Sequence, residues 1–564
     1  LDLRFKHQHY EADADTNFFN DAPTEAFPTD QQAFMAAIGA DLDIDRDSDF
    51  ETQEGGLIEP FEKYNLDMAQ VNVNYDFGTL ALNAIGGYMT AKSDRLFDVV
   101  PVPAPIDHGF APTRFEQWSG ELRLTSQPGA LPGAFEPLSF ILGGYYQQTD
   151  DQSFESNDFT ALSRDLDGDG LTRHNADSPE DLQDGLIPNP AFAGARTVTK
   201  DTGTIQDLST FAIFLHTNYD WTDRLTTTHA VRFTREEKDV DFFFNAFFDF
   251  PIGPGIIPRT QFNDFFDFAR LSSVEKRGAA VAILDDPNAI GPDGNVIPSR
   301  SSDAWTKLTW RFAIDYAVTD DAMVYANVAR GFKGGSFVSL AATPNTNNAA
   351  LPETSTVFEV GAKTSWFNDR LRVNAAAFFN DHENFQATLK IQGGIINALD
   401  NIPQSRLYGG ELQIQAQPID NLSIIANFGL LRTEIRDASD GNEELVGNQL
   451  PLAEEENFSG VVRYDLETDI GSFTPQVSWR YRGPFWSQKE NDDLFGKIGD
   501  FWTVDLRLGY EAPDGKLYGR IYVENIFNEV ESVRAEVPNP AALGGTLTNV
   551  NERRNWGVTV GYRF

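Results

Sequence analysis

Apolar and polar positions alternate over long stretches of this chain. Ala69, Val71, Val73, Tyr75 and Phe77 fall on one face of an extended segment, and Asn72, Asn74 and Asp76 fall on the other. After a turn at Gly78 the pattern repeats through Leu80, Leu82, Ala84, Gly86 and Tyr88. A period of two places successive side chains on opposite faces of a strand. No segment with a helical period is present to cover the apolar face. In a membrane barrel that face meets lipid and the polar face lines the lumen.

The joins between strands are of two kinds. Tight ones fall at 76–79, 220–223, 319–321, 368–370, 420–421 and 514–516, where Asp, Asn and Gly supply positive φ or an Asx hydrogen bond. Long polar ones are expected at 11–63, 94–113, 151–204, 240–303, 338–353, 438–453, 488–499 and 530–549. Strict alternation of the two predicts short turns at one rim and long loops at the other, the plan of an outer-membrane barrel. The count is about 18 strands of roughly 10–16 residues, a length that suits tilted membrane strands and their extensions. The final segment, Asn555 to Phe564, carries Trp556, Val558, Val560, Tyr562 and Phe564 on one face. It follows a long loop, so it is expected to run inward and to leave the C-terminus in the periplasm.

The totals agree with this reading. At 564 residues the chain is long for one soluble core, and no repeat or linker divides it. A formal charge of −41, from 85 acidic and 44 basic residues, argues against a nucleic-acid partner. No cysteine is present, which removes disulfides and thiolate metal sites. No apolar run approaches the roughly 18 residues of a membrane helix. Leu1-Asp2-Leu3-Arg4-Phe5 lacks the basic and apolar regions of a signal peptide and looks like the middle of a strand. The true N-terminus is therefore expected upstream of Leu1.

A family resemblance is carried by residues 304–564. The run Ala322 to Phe337 contains Arg330-Gly331-Phe332-Lys333, and Pro352-Glu353-Thr354 follows. Phe358-Glu359-Val360-Gly361-Ala362-Lys363 then precedes Leu371-Arg372-Val373-Asn374-Ala375-Ala376-Ala377-Phe378-Phe379. Gly409-Gly410-Glu411-Leu412 and Val523-Glu524-Asn525-Ile526-Phe527-Asn528 complete the series. In this order, and before a terminal Phe that resembles the signal read by the barrel-assembly machinery, these segments resemble the β-barrel of TonB-dependent outer-membrane receptors. The resemblance implies a transmembrane antiparallel β-barrel of about 22 strands, of which about 18 lie in this chain. Residues 1–564 would then be barrel alone. The plug, the TonB-contacting box and about four strands are not found in it.

Several residues are candidates for chemistry. Asp165, Asp167 and Asp169 precede Gly170 with the spacing of a calcium loop, and Asp177 stands beside the place of its final ligand. A solvated acidic turn is the other reading. Asp41, Asp43, Asp45, Asp47, Asp49 and Glu51 suit a solvated loop or cation bridges to lipopolysaccharide. Phe247 and Phe248 belong to an aromatic-rich stretch that forms either a loop core or an apolar cover over a solute. Arg330, Lys333, Arg480 and Arg482 are candidate lumenal cations for an anionic iron chelate, or wall charges paired with carboxylates. No nucleophile–base arrangement stands out, so an enzyme is not expected, and no cofactor is required beyond the calcium candidate.

The resemblance implies TonB-driven uptake of a scarce solute in a Gram-negative outer membrane, with a ferric siderophore as the default substrate. The TonB complex would act through the plug. A passive porin of about 18 strands and a non-transporting scaffold or adhesin are the alternatives. For the calcium loop, calorimetric titration of the folded protein is expected to give calcium heat that Asp167→Ala abolishes.

Overall fold

The computed structural model describes residues 1–13, 18–20, 61–98, 107–160, 163–164, 185–186, 197–249, 299–337, 349–391, 396–492, 496–530, 532–536 and 546–564. Nineteen strand segments form one sheet. Two of them, Glu456–Tyr464 and Leu466–Thr468, lie end to end against the same neighbour, so the sheet has eighteen strands. In chain order they are β1 (Asp2–Asp13), β2 (Phe61–Asp76), β3 (Leu80–Asp98), β4 (Asp107–Ser126), β5 (Leu138–Thr160) and β6 (Thr197–Thr222). Then come β7 (Leu225–Asp249), β8 (Ser299–Thr319), β9 (Ala322–Lys333), β10 (Glu353–Trp366), β11 (Leu371–Ile391) and β12 (Ile396–Ile419). The last six are β13 (Leu422–Asp437), β14 (Glu456–Tyr464 with Leu466–Thr468), β15 (Gly471–Arg482), β16 (Phe501–Glu511), β17 (Leu517–Glu524) and β18 (Asn555–Tyr562).

Within this sheet every ladder is antiparallel and joins neighbours in sequence, from β1–β2 to β17–β18. A separate short ladder pairs Phe18–Asn20, after β1, with Thr546–Thr548, before β18. Among the described residues no ladder register joins β1 to β18. Helical structure there is limited to 3₁₀ turns at Gly133–Phe135 and Glu443–Leu445.

The alternation expected from sequence sets the two faces. Val71, Val73 and Tyr75 of β2, Phe211, Ile213 and Leu215 of β6, and Phe358 and Val360 of β10 are exposed on one face. On the other face polar side chains bond to each other across strands. Asn374 donates to Gln413 at 3.0 Å, Gln413 to Asn427 at 3.3 Å, and Asn427 to Ser459 at 3.3 Å, which links four strands. This is the lipid-out, polar-in pattern of a membrane barrel, with lumenal polar groups satisfied by one another.

Two rims are present, but their joins do not follow lengths as strictly as the sequence pattern predicts. At the short-turn rim, Gly78 takes φ +100° and its amide donates to Asp76 Oδ1 at 2.7 Å. Yet β4 and β5 are joined there by a broader turn, 127–137, that holds a 3₁₀ turn. At the long-loop rim, β11 and β12 are separated by residues 392–395 alone. The strands there have absorbed the loop: they run 21 and 24 residues, well beyond the roughly 9–11 that cross a bilayer. The interiors of the expected loops 11–63, 151–204 and 240–303 fall largely outside the described residues.

Five glycines sit directly opposite an aromatic ring: Gly143 under Phe214, Gly361 under Tyr325, Gly460 under Trp479, Gly557 under Tyr522 and Gly561 under Tyr518. At each, an added Cβ would collide with the ring. The ring covers the bare backbone and pins the register of its pair. Gly561→Val is therefore expected to cost about 1–3 kcal/mol through overpacking. Gly86→Val, at a position with no heavy atom near the would-be Cβ, is the near-neutral control. The temperature at which the compact folded form is lost on electrophoresis checks both.

Candidate functional site

The long-loop mouth is the most elaborated part of the molecule. On β9, Lys333 follows the register of Tyr325, whose hydroxyl donates to Glu359 at 2.8 Å on the polar face. Lys333 therefore lies on the lumenal side, directly opposite Glu353 at the start of β10. The Glu353 carboxylate is buried, with a side-chain exposure of 9 %. It accepts from Lys333 Nζ at 2.9 Å and from the Gln386 amide at 3.0 Å, and it contacts His382 Nε2 at 3.0 Å. Burial pushes this carboxyl up, but the Lys333 ammonium, the Gln386 amide and His382 together outweigh that and hold it below the usual range. The positive φ of Asn384, +58°, breaks the regular ladder between Glu383 and Phe385 and brings Gln386 into reach.

The expected lumenal cations do not form one set. Arg330 lies in register with Trp310 and Thr356, on the same face as the exposed Val324, Phe358 and Val360. It is thus on the outer, apolar side rather than inward, and it bonds Glu383 at 3.1 Å. The odd-numbered Lys333 and even-numbered Arg330 could not share a face in a regular strand. Arg480 and Arg482 do lie on the polar face of β15, opposite to Val477 and Tyr481. The Arg482 guanidinium is sandwiched between Phe485 and Phe501, at 4.5 and 4.3 Å from their ring centroids, with Glu454 at 3.9 Å. It therefore ties the connection after β15 to the start of β16. Lys333 on β9 and Arg482 on β15 are six strands apart in the sheet.

The backbones of Phe247 and Phe248 continue β7, paired with Thr199 and Val198, while their side chains lie outside the described residues. Asp165, Asp167, Asp169 and Asp177 lie outside them altogether, as do Asp41 to Glu51.

Two connections pack against strand ends and against each other beside this cluster. Leu445 and Leu450 join Leu389, Ile402 and Ile435 in a buried apolar core, with Leu407 against it. Asn448 Nδ2 donates to the carbonyls of Lys489 and Glu490 at 2.9 and 3.1 Å, and the Gln449 amide donates to Asn491 Oδ1 at 2.7 Å. One connection thus holds the next. On the outer side, Glu116, Asp150, Asp207 and Asp239 stand directly opposite one another across β4 to β7. Burial and then the carboxylates of Asp150, Asp239 and Asp241 push the Asp207 carboxyl up.

Glu353 was legible only as part of a family-like Pro-Glu-Thr run. Its hairpin register opposite Lys333 was the signal for its role, and that register needs the strand ends. Glu353→Ala leaves three partners without their acceptor and is expected to cost about 1–3 kcal/mol, with Glu353→Gln milder. Because the folded carboxyl lies below its ordinary value of 4.5, its contribution is complete above that pH. It is lost as pH falls through the lower folded value. Unfolding of both variants in detergent at neutral and strongly acidic pH checks this: the difference from the native protein is expected to shrink in acid.

Comparison with known proteins agrees with the barrel. The sequence matches the family described as TonB dependent receptor-like, beta-barrel, over residues 3–528. The pesticin receptor of Yersinia pestis is 22 % identical over 42 % of this chain and 33 % of its own length. The catecholate siderophore receptor Fiu of Escherichia coli K12 is 22 % identical over 50 % of this chain and 36 % of its own. The matches thus span about a third of these curated relatives. Among solved structures, the ferric yersiniabactin uptake receptor FyuA of Yersinia pestis superposes with a TM-score of 0.64 at 17 % identity, covering 90 % of this chain and 62 % of that one. The closed form of Fiu gives 0.65 at 15 % identity, covering 100 % and 72 %. The chain belongs to the TonB-dependent receptors and comprises an outer-membrane β-barrel portion of that family.

Proposed function

We propose that this barrel serves active, TonB-dependent uptake of a ferric siderophore. The observation that carries the reading is the family match along nearly the whole barrel, in company with relatives named as siderophore receptors. The built mouth supports it: ion pairs of the buried Glu353 and Arg482 and packed connections at the long-loop rim form a shaped entrance, as recognition of a bulky solute requires. Lys333 and Arg480 are the polar-face cations we assign to an anionic chelate there, and Phe247 and Phe248 are assigned to an apolar contact. Asp165, Asp167, Asp169 and Asp177 are assigned to a calcium ion in the loop they occupy.

The rest of the reading follows from the family. The long-loop rim faces outside and the C-terminus lies in the periplasm. The barrel-assembly machinery takes β18 as its template strand, and lipopolysaccharide surrounds the outer girdle. TonB acts through a plug, and the protein carries cargo without chemical conversion.

Growth on limiting iron decides between uptake and the alternatives. A strain lacking the receptor is expected to lose growth on one siderophore, and the intact gene is expected to restore it only where TonB is present. Restoration without TonB would favour a passive pore. Unchanged growth on every siderophore supplied would favour a scaffold.

A further inference from the structure

The hairpin between β9 and β10 does not continue the barrel wall. Beyond Lys333 and Glu353 it bends at Gly334-Gly335 and Leu351-Pro352, then re-forms a short ladder of Ser336–Phe337 with Ala349–Ala350. This re-formed base is held by side chains of four other strands. From β7, Lys238 Nζ donates to the Gly335 carbonyl at 2.8 Å, and the Glu236 carboxylate fills the space a Cβ on Gly334 would need. From β8, the buried Trp305 packs on Gly335 and faces Phe337 with ring centroids 5.9 Å apart. From β11, Gln386 Nε2 donates to the carbonyls of Gly334 and Leu351 at 2.9 and 3.0 Å. From β12, Asn401 donates to the Leu351 carbonyl at 3.0 Å and accepts its amide at 2.7 Å.

Register shows which side of the wall this is. Val231 and Phe233 on β7 and Leu308 and Trp310 on β8 are exposed on the lipid face. Glu236, Lys238 and Trp305 have the opposite parity and face the lumen. The hairpin base therefore folds inward and packs against the inside of the wall at the mouth.

We propose that residues 333–337 and 349–353 form a fixed constriction of the mouth, which sets an upper size for the hydrophilic solutes that reach the polar wall below it. The contacts argue for a strut rather than a flap. Moving it outward would break a charge-assisted hydrogen bond and four hydrogen bonds of side-chain amides, and would uncover Trp305 and the fully buried Ala350. Gly334 and Gly335 are required because any side chain would meet Glu236 or Trp305. Lys238, Gln386 and Asn401 act as positioning residues. The proposal rests on the barrel alone, so loss of the siderophore assignment leaves it standing.

Size-graded labelling in intact cells tests it. The sequence has no cysteine, so Ser355→Cys, on the polar face two residues beyond Glu353, can be introduced as a reporter. N-ethylmaleimide is expected to label it, and a large poly(ethylene glycol) maleimide is expected to fail. Two independent releases are then compared: the pair Lys238→Met with Gln386→Ala, and replacement of residues 334–351 by a short Gly-Ser link. Each is expected to raise labelling by the polymer several-fold while the small reagent's rate changes little. Equal polymer labelling with and without release would overturn the proposal. A matching rise for both reagents would overturn it too, because it reports general loosening rather than a widened aperture.

Discussion

A peptide group in hydrocarbon has no water to bond, and nearly all of this structure follows from that. Each backbone N–H and C=O within the bilayer must be paired by the protein itself, and a continuous antiparallel sheet pairs them between neighbouring strands. The meander from β1 to β18, with each strand beside its sequence neighbour, is the simplest such solution. Once the backbone is committed to extended strands, the side chains have only two directions. One must suit lipid and the other must suit a polar interior. The lumenal amide chain from Asn374 to Ser459 shows how the second demand is met, since each group finds a partner on the next strand.

The constraint ends where the strands leave the bilayer, and the character of the molecule changes there. Beyond the exposed Trp118, Tyr146 and Phe211 the outward face turns acidic, with four carboxylates in one row from Glu116 to Asp239. Like charges directly opposite across strands are destabilising, a cost that water and counterions screen at this height. The same region also gains a true core, formed by Leu389, Ile402, Ile435, Leu445 and Leu450. The mouth is therefore built like a small soluble protein standing on a membrane barrel. Its stability comes from buried apolar contacts and satisfied buried polar groups rather than from lipid.

This division explains what could be read in advance. Strand alternation is a local property, so the strand count and the two rims were legible from patterns such as Val71, Val73 and Tyr75. Turn chemistry was legible where Gly78 and Asp76 close a tight hairpin. The expected strict alternation of short and long joins failed at β11 and β12, because those strands extend far past the bilayer and leave four residues between them. Arg330 was grouped with Lys333 by proximity in sequence, although their odd separation places them on opposite faces. Glu353 stood in a family-like run that gave no hint of its partners, and Lys238, Gln386 and Asn401 carry no motif at all. They are 15 to 163 positions apart in the chain, and only the register of six strands brings them to one hairpin.

The sequence by itself determined the all-β architecture, the lipid and lumenal faces and the family, because each rests on a period or a run that neighbouring residues define. Tertiary structure alone decided that the β9–β10 hairpin turns inward, that Glu353 is buried among three partners, and that Arg482 is clasped between Phe485 and Phe501. Those outcomes depend on which strands lie side by side and on where each one stops. Pairing energies summed over a whole sheet settle such matters, and no local segment contains them.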